Sequence, residues 1–269
     1  MQTIFMTGTS TGLGKAAAEL FAEKGWKVIA TMRNTAKGEE MAKHPNIHLL
    51  PLDVTNTAQV QKTAAEAIAM GDIDVVFNNA GYGLAGPFEG ATDEQILRNI
   101  DTNLIGVMRV VRAFLPHFRA KGSGLFLTTT SIGGSIGLPF NSVYHATKWG
   151  LEGWSESMDL ELRKFGIGIK TIAPGGIKTD FASRSLDMSK HEAYQELLQK
   201  ALNVFMSPER ANSYSSAEAI AEVVYEAATD GKDQLRYFAG DDAKTYFKMR
   251  QDVGYIAFRN EISKSFFGE

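Results

Sequence analysis

The sequence predicts an α/β fold: a doubly wound, parallel, seven-stranded sheet with helices on both faces. Three observations lead there. Short apolar runs alternate with stretches of ten or more residues at helical spacing, the pattern of βαβ units. The first run ends in a glycine-rich turn that opens into a helix. No apolar run reaches the ~18–20 residues of a membrane span, and no repeat, low-complexity stretch or linker divides the 269 residues. Parallel neighbours require crossovers, and right-handed crossovers cover both faces of the sheet. Residues 1–269 therefore read as one domain, with an insert at about 180–214 and a tail at 241–269.

Thr3–Thr7 is the first strand, a short apolar run before glycines. Leu13, Ala16, Ala17, Leu20 and Phe21 give helical spacing over Gly12–Lys24, stopped by Gly25. Trp26–Thr31 and Ile47–Leu52 are the second and third strands. Asn56 and Gln59, in capping-box spacing, start a helix to Met70, ended by Gly71. Ile73–Phe77 is the fourth strand. Thr92 and Gln95 form a second box and start one long helix to Phe118, with Pro116 in its last turn. Leu125–Thr129 is the fifth strand, and a helix then runs to about Phe165. Ile167–Ala173 is the sixth strand. Ser215 and Glu218 box a helix to Thr229, and Leu235–Phe238 is the seventh strand.

The net charge of −3 gives no electrostatic case for nucleic acid or an anionic membrane. With no cysteine, disulfides, thiolate catalysis and iron–sulfur clusters are excluded. The five histidines form no metal pattern, so no metal is expected. The N-terminus lacks a basic n-region, which with the absence of cysteine fits a cytoplasmic protein.

Two stretches carry chemistry. In Ser131–Lys148, Tyr144 and Lys148 stand four residues apart, so on a helix both side chains share one face. A phenol titrates near ~10. An ammonium about 4 Å away, at an effective dielectric near 20, favours the phenolate by ~4 kcal/mol. That brings the phenol to near 7, about where general acid–base catalysis needs it. Ser131 precedes a glycine-rich turn and is placed to hold a substrate oxygen beside the phenol. Tyr-x-x-x-Lys alone is common by chance, and an ordinary surface pair has the same spelling.

The second stretch, Thr7–Gly14, reads TGTSTGLG between a strand and a helix. Gly8, Gly12 and Gly14 let backbone approach a pyrophosphate at the helix N-terminus, although the spacing is GxxxGxG and not GxGxxG. A fold that binds NAD places an acid about 20 residues further on, for the ribose 2′-hydroxyl. Here the second strand runs into Arg33 and Asn34, and no acid comes before Glu39. Arg33 offers a guanidinium fork to a 2′-phosphate. The expected cofactor is NADP(H).

These residues, in this order, resemble the short-chain dehydrogenase/reductase family, in its common single-domain, Rossmann-type branch. Gly8, Ser10, Thr11, Gly12, Leu13 and Gly14 fall in a stretch similar to its TGxxxGxG cofactor turn. Asp53 and Val54 resemble its adenine-contacting acidic site, and Asn78-Asn79-Ala80-Gly81 its NNAG motif. Asn103 resembles its fourth catalytic residue, beside a Ser131–Tyr144–Lys148 set. Pro174, Gly175, Ile177 and Thr179 fall in a stretch resembling the segment that closes on the nicotinamide. The resemblance implies hydride transfer between the nicotinamide and a carbonyl or alcohol carbon. Tyr144 would give or take the proton. Lys148 would lower its pKa and hold the nicotinamide ribose. Ser131 would bind the substrate oxygen, and Asn103 would hold a relay water. Read from residues alone, Asn103 is equally a buried amide satisfying backbone, and Asp53 a loop acid capping the next helix.

The substrate wall is expected from Gly133–Phe140, Tyr82–Phe88 and the insert Phe181–Phe205. The insert's apolar residues suit either a lid over a pocket or a satellite core. An apolar carbonyl or alcohol is the expected small-molecule substrate, and ATMRN and LRYFAGDDA resemble the steroid/retinol-type members. The aromatic tail is expected to pack on the body or on a neighbouring subunit, and the resemblance implies a homodimer or homotetramer. Two other readings remain: a dinucleotide-sensing regulator of the same fold, and an isomerase or dehydratase that uses the cofactor transiently.

Overall fold

The computed structural model describes residues 1–178 and 185–268. Its centre is a seven-stranded sheet. The strands are β1 (Thr3–Thr7), β2 (Lys27–Met32), β3 (Ile47–Pro51), β4 (Val75–Asn78), β6 (Gly124–Thr129), β7 (Ile167–Pro174) and β11 (Arg236–Ala239). Their order is β11-β7-β6-β4-β1-β2-β3, and every pairing is parallel. The chain runs from β1 outward to β3, then returns to the other side of β1 with β4. That reversal leaves a crevice outside the carboxyl ends of β1 and β4, where ligands bind in such sheets.

Helices α1 (Gly12–Glu23) and α8 (Ala217–Thr229) cover one face, burying Phe21, Val28, Phe77 and Ile172. Helices α2 (Thr57–Ala69), α4 (Gly106–Lys121) and α5 (Ser142–Leu162) cover the other, around Phe5, Phe114, Phe118 and Phe126. These strands are buried on both faces, so they read as apolar runs without alternation. Two short parallel pairs lie outside the main sheet. One joins β5 (Gly83–Ala85) to β9 (Leu186–Met188), and the other β8 (Ile177–Lys178) to β10 (Ser215–Ser216).

Several local expectations change. The long helix is not uniform: α3 (Asp93–Ile100) passes through a π-turn, Asp101–Ile105, into α4. There the Gly106 N–H reaches back five residues, to the Asp101 carbonyl. A Cβ at Gly106 would meet Val54 Cγ2 at 2.8 Å, so only glycine lets the helix lie this close. Pro116 is interior, with α4 continuing to Lys121. The Thr92/Gln95 box forms reciprocally. The Asn56/Gln59 box does not: Asn56 caps Gln59 N, but the Gln59 side chain accepts from Asp53 N. Ser215 is not a cap either. It pairs with Ile177 in β10, and Ser216 caps α8 by accepting from Ala219 N.

The insert forms α6 (Gln195–Phe205) and α7 (Pro208–Ser213), and the tail forms α9 (Asp241–Phe267). Gly254, at φ 77 and ψ 171, breaks α9 into two arms. Ala201, Phe258, Ile262 and Phe266 bury together against Ile132 and Ile136. Insert, tail and the loop after Ser131 therefore share a third core.

Candidate active site

The site is assembled where strands end. Thr7 closes β1, and its hydroxyl accepts from Asn79 N and Ala80 N, both at 3.0 Å. The Asn79 amide donates to Thr7 O and Gly8 O and accepts from Thr129 Oγ1. All of its visible capacity braces the turn. Gly8 has φ 69, a conformation glycine adopts at no steric cost, and an added Cβ would lie 2.7 Å from Ala80 Cα. A Cβ at Gly14 would lie 2.5 Å from Asn79 Nδ2 and closer still to the Gly8 carbonyl. Thr11 precedes α1 without a side-chain cap, leaving the first-turn N–H groups to other acceptors. Ser10 is partly exposed beside it and Gly12 opens the helix, while Leu13 turns into the core. This cradle fits a pyrophosphate: the donors are uncapped and the space is kept clear by glycine.

Arg33 follows directly on β2, is exposed, and has no ion pair among the described residues. Asp53 Oδ1 accepts from Thr55 N and Oγ1 in a local turn, and Val54 is buried against Gly106. Gly81 packs on Asn103, whose Oδ1 would lie 3.1 Å from an added Cβ. The π-turn aims Asn103 inward. Its amide pairs with both backbone groups of Tyr82, accepting from N at 3.0 Å and donating to O at 2.8 Å. The structure thus gives Asn103 a backbone-holding contact with the loop that leads into β5.

Ser131 and Tyr144 come together, with the Ser131 side chain near enough to the phenol to pull its proton affinity down. Ser131 ends an extended segment after β6, and its Oγ accepts from Gly133 N at 3.0 Å. Lys148 lies under the Tyr144 ring, Nζ 5.6 Å from its centroid, and donates to Thr129 O at 2.8 Å. The expected pKa of the phenol is overturned. Burial around the hydroxyl raises it, and Ser131 opposes this only in part. The reason is desolvation: a dry site disfavours the phenolate. The same burial pushes Lys148 down to about 8, against the opposing pull of Glu152.

Glu152 was invisible to motif reading. One turn beyond Lys148, it is buried, and its Oε2 accepts from Arg236 Nε at 2.7 Å and Thr171 Oγ1 at 3.1 Å. A second hidden brace is Asp242, whose carboxylate accepts from Gly176 N at 2.7 Å. Gly175 donates to Ala239 O, Pro174 ends β7, and Ile177 begins β8. Thr179 and Phe181 lie outside the described residues. His145 is pushed down to about 4 by burial, and its Nδ1 accepts from Leu138 N, pinning the loop after Ser131.

Residues 2–190 match the short chain dehydrogenase family. The chain belongs to that family. This short-chain dehydrogenase is 32% identical to human 17-beta-hydroxysteroid dehydrogenase type 1 over 270 residues, covering 93% of this chain and 80% of that protein. A solved short-chain dehydrogenase from Streptomyces avermitilis is 29% identical, with a TM-score of 0.86 over 98% of this chain and 96% of its own. An alcohol dehydrogenase from the archaeon Thermococcus sibiricus, complexed with 5-hydroxy-NADP, shares the fold at a TM-score of 0.73. It is 24% identical, and the match covers 89% of this chain and 96% of that one. This short-chain dehydrogenase is thus an oxidoreductase with a seven-stranded Rossmann-type sheet. No helix among its described residues is long and apolar enough to cross a membrane.

Proposed function

We propose that this short-chain dehydrogenase is an NADP(H)-dependent carbonyl reductase and alcohol dehydrogenase for a small apolar substrate. One observation carries the reading: Ser131 stands beside the Tyr144 phenol, with the Lys148 ammonium 5.6 Å from the ring centroid. A bound nicotinamide dinucleotide supplies or accepts the hydride. Everything else falls to the chain. The Gly8–Gly14 turn and the start of α1 hold the pyrophosphate, with Asn79 keeping the turn in shape. Arg33 takes the 2′-phosphate, favoured by its exposure and its lack of a carboxylate partner among the described residues, so NADP(H) is preferred over NAD(H). Asp53, Val54, Ala80 and Gly81 border the adenine side, and Pro174, Gly175 and Ile177 the nicotinamide side.

Ser131 Oγ and Tyr144 Oη hold the substrate oxygen between them. A phenol raised by burial is protonated at neutral pH, which suits it to donate as a carbonyl becomes an alcohol. The Lys148 ammonium then offsets the charge left on the phenolate. Asn103 fixes Tyr82 and so the wall beside the reacting carbon. Helix α6 packs with the tail on the loop after Ser131 and so braces the apolar side.

NADPH absorbance against a panel of ketones and aldehydes tests the proposal. The expected result is turnover by the wild type and none detectable by Tyr144→Phe, with dinucleotide binding intact in both. Tyr144→Phe activity within a few-fold of wild type would remove the assignment of the proton donor.

A further inference from the structure

Gly176, in the segment that follows β7, is held from three directions. Its N–H donates to the Asp242 carboxylate at 2.7 Å, and its carbonyl accepts from Ser215 N at 3.1 Å. Its Cα faces the Tyr214 ring so closely that an added Cβ would overlap the ring carbons. The next residue, Ile177, pairs with Ser215 in the β8–β10 pair. The end of the insert and the start of the tail therefore fix the backbone that leads into β8.

Tyr214 is fixed in turn. It follows α7 directly, and its hydroxyl donates to Phe205 O at 3.2 Å. Burial raises its phenol, and Arg210, four residues back, stands near enough to oppose that rise. The Arg210 guanidinium lies over three rings: Phe205, Phe266 and Tyr246, at 5.0, 5.3 and 5.4 Å from their centroids. Phe205 ends α6, Tyr246 stands on the first arm of α9 and Phe266 on the second. Arg210 is half-buried and forms no ion pair among the described residues. Aromatic faces take the place of a carboxylate and hold the cation through their quadrupoles. Helix α7 is only six residues long, too short to hold itself, so tertiary contacts set its place. Arg210 supplies a contact to three elements at once.

We infer that Arg210 is a positioning residue for the dinucleotide: seated among three rings, it fixes Tyr214 on Gly176 and so sets the segment that borders the nicotinamide. The inference rests on the cofactor reading above, which puts Pro174, Gly175 and Ile177 on that side. Arg210 acts through Tyr214, not by contact with the cofactor.

The test titrates NADPH binding by its fluorescence and records melting temperatures alongside. Arg210→Met keeps the length of the side chain and removes the cation. It should weaken NADPH binding about tenfold, the scale of one desolvated cation over an aromatic face. Its kcat for a ketone at saturating NADPH should stay within about twofold of wild type. Arg210→Lys, which keeps a charge among the rings, should fall between the two. Arg210→Ala should recover most of the lost affinity in low-millimolar guanidinium chloride and none in the same concentration of sodium chloride. A role in stability alone would lower melting temperatures and leave NADPH affinity unmoved. Tyr214→Leu leaves Arg210 in place and takes the ring off Gly176, so it should lose as much affinity as Arg210→Met, and it keeps the test open if the arginine variants do not fold. Unchanged NADPH affinity in the folded variants, or guanidinium acting no better than sodium, overturns the inference. A wild type that binds no dinucleotide would remove the cofactor reading itself, and the inference with it.

Discussion

Lys148 gives the sharpest prediction, because burial changes its proton affinity by a stated amount. Its ammonium is held to about 8 in the folded protein, against 10.5 for the free side chain. A lysine whose folded pKa is depressed costs stability below that pKa. The cost is relieved as pH rises from about 8 toward 10.5, because only the unfolded chain still holds the proton over that range. At 1.36 kcal/mol per pH unit, the depression weakens the fold by about 3 kcal/mol at pH 7. By pH 10 most of this is recovered. Lys148→Met removes the titration but keeps most of the volume. It also leaves the Thr129 carbonyl without its 2.8 Å donor, a loss that does not vary with pH. The difference in unfolding free energy, wild type minus variant, should therefore rise by roughly 2–3 kcal/mol between pH 7 and pH 10. Urea unfolding of the two proteins in parallel measures it, and groups that titrate equally in both cancel. A difference that stays flat across this range, or falls, would refute a desolvated lysine at this position.

Other perturbations read other parts of the site. Glu152 pulls the Lys148 pKa upward, so Glu152→Gln should lower it further. The alkaline limb of the kcat–pH profile for carbonyl reduction should then move to lower pH, while an unmoved limb would leave Glu152 a purely structural partner of Arg236. Gly14→Ala places a methyl against Gly8 and Asn79, and should weaken dinucleotide binding at least about tenfold in a fluorescence titration while the protein stays folded. Arg33→Ala should lower kcat/KM with NADPH by about tenfold or more, the scale of one charge-assisted contact, and leave the NADH reaction nearly unchanged. Equal losses with both cofactors would remove Arg33 from 2′-phosphate recognition. Asp242→Asn keeps the shape around Gly176 but weakens the acceptor for its N–H. A raised KM for the dinucleotide with little change in melting temperature is the expected outcome.

The legible parts of this chain were local. Thr92 and Gln95 stand three residues apart and cap each other as spaced. The glycines of Thr7–Gly14 mark a turn whose neighbours leave no room for a Cβ. Tyr144 and Lys148 share a helix face because they are one turn apart. What could not be read is tertiary. Glu152 meets Arg236, 84 positions away, and Gly176 meets Asp242, 66 positions away. No local spacing records either pair. The phenol departs from the expectation because a lone charge pair leaves out its surroundings. Burial raises the phenol, and the lysine is itself desolvated and turned to Thr129 O. Ser215 and Ser216 offer the same hydroxyl one residue apart, and strand pairing with Ile177 decided which of them caps α8. The π-turn that directs Asn103 inward ends at Gly106, which packs close to Val54, fifty-two positions earlier.

The most direct test of the account follows the hydrogen itself. The protein is given NADPH deuterated on one face of the nicotinamide C4, with a ketone it turns over, and the product alcohol is read by NMR. The account predicts deuterium at the carbinol carbon from one C4 face only, and no product from Tyr144→Phe under the same conditions. Product formed without deuterium from either face, or made equally well by the variant, would contradict it.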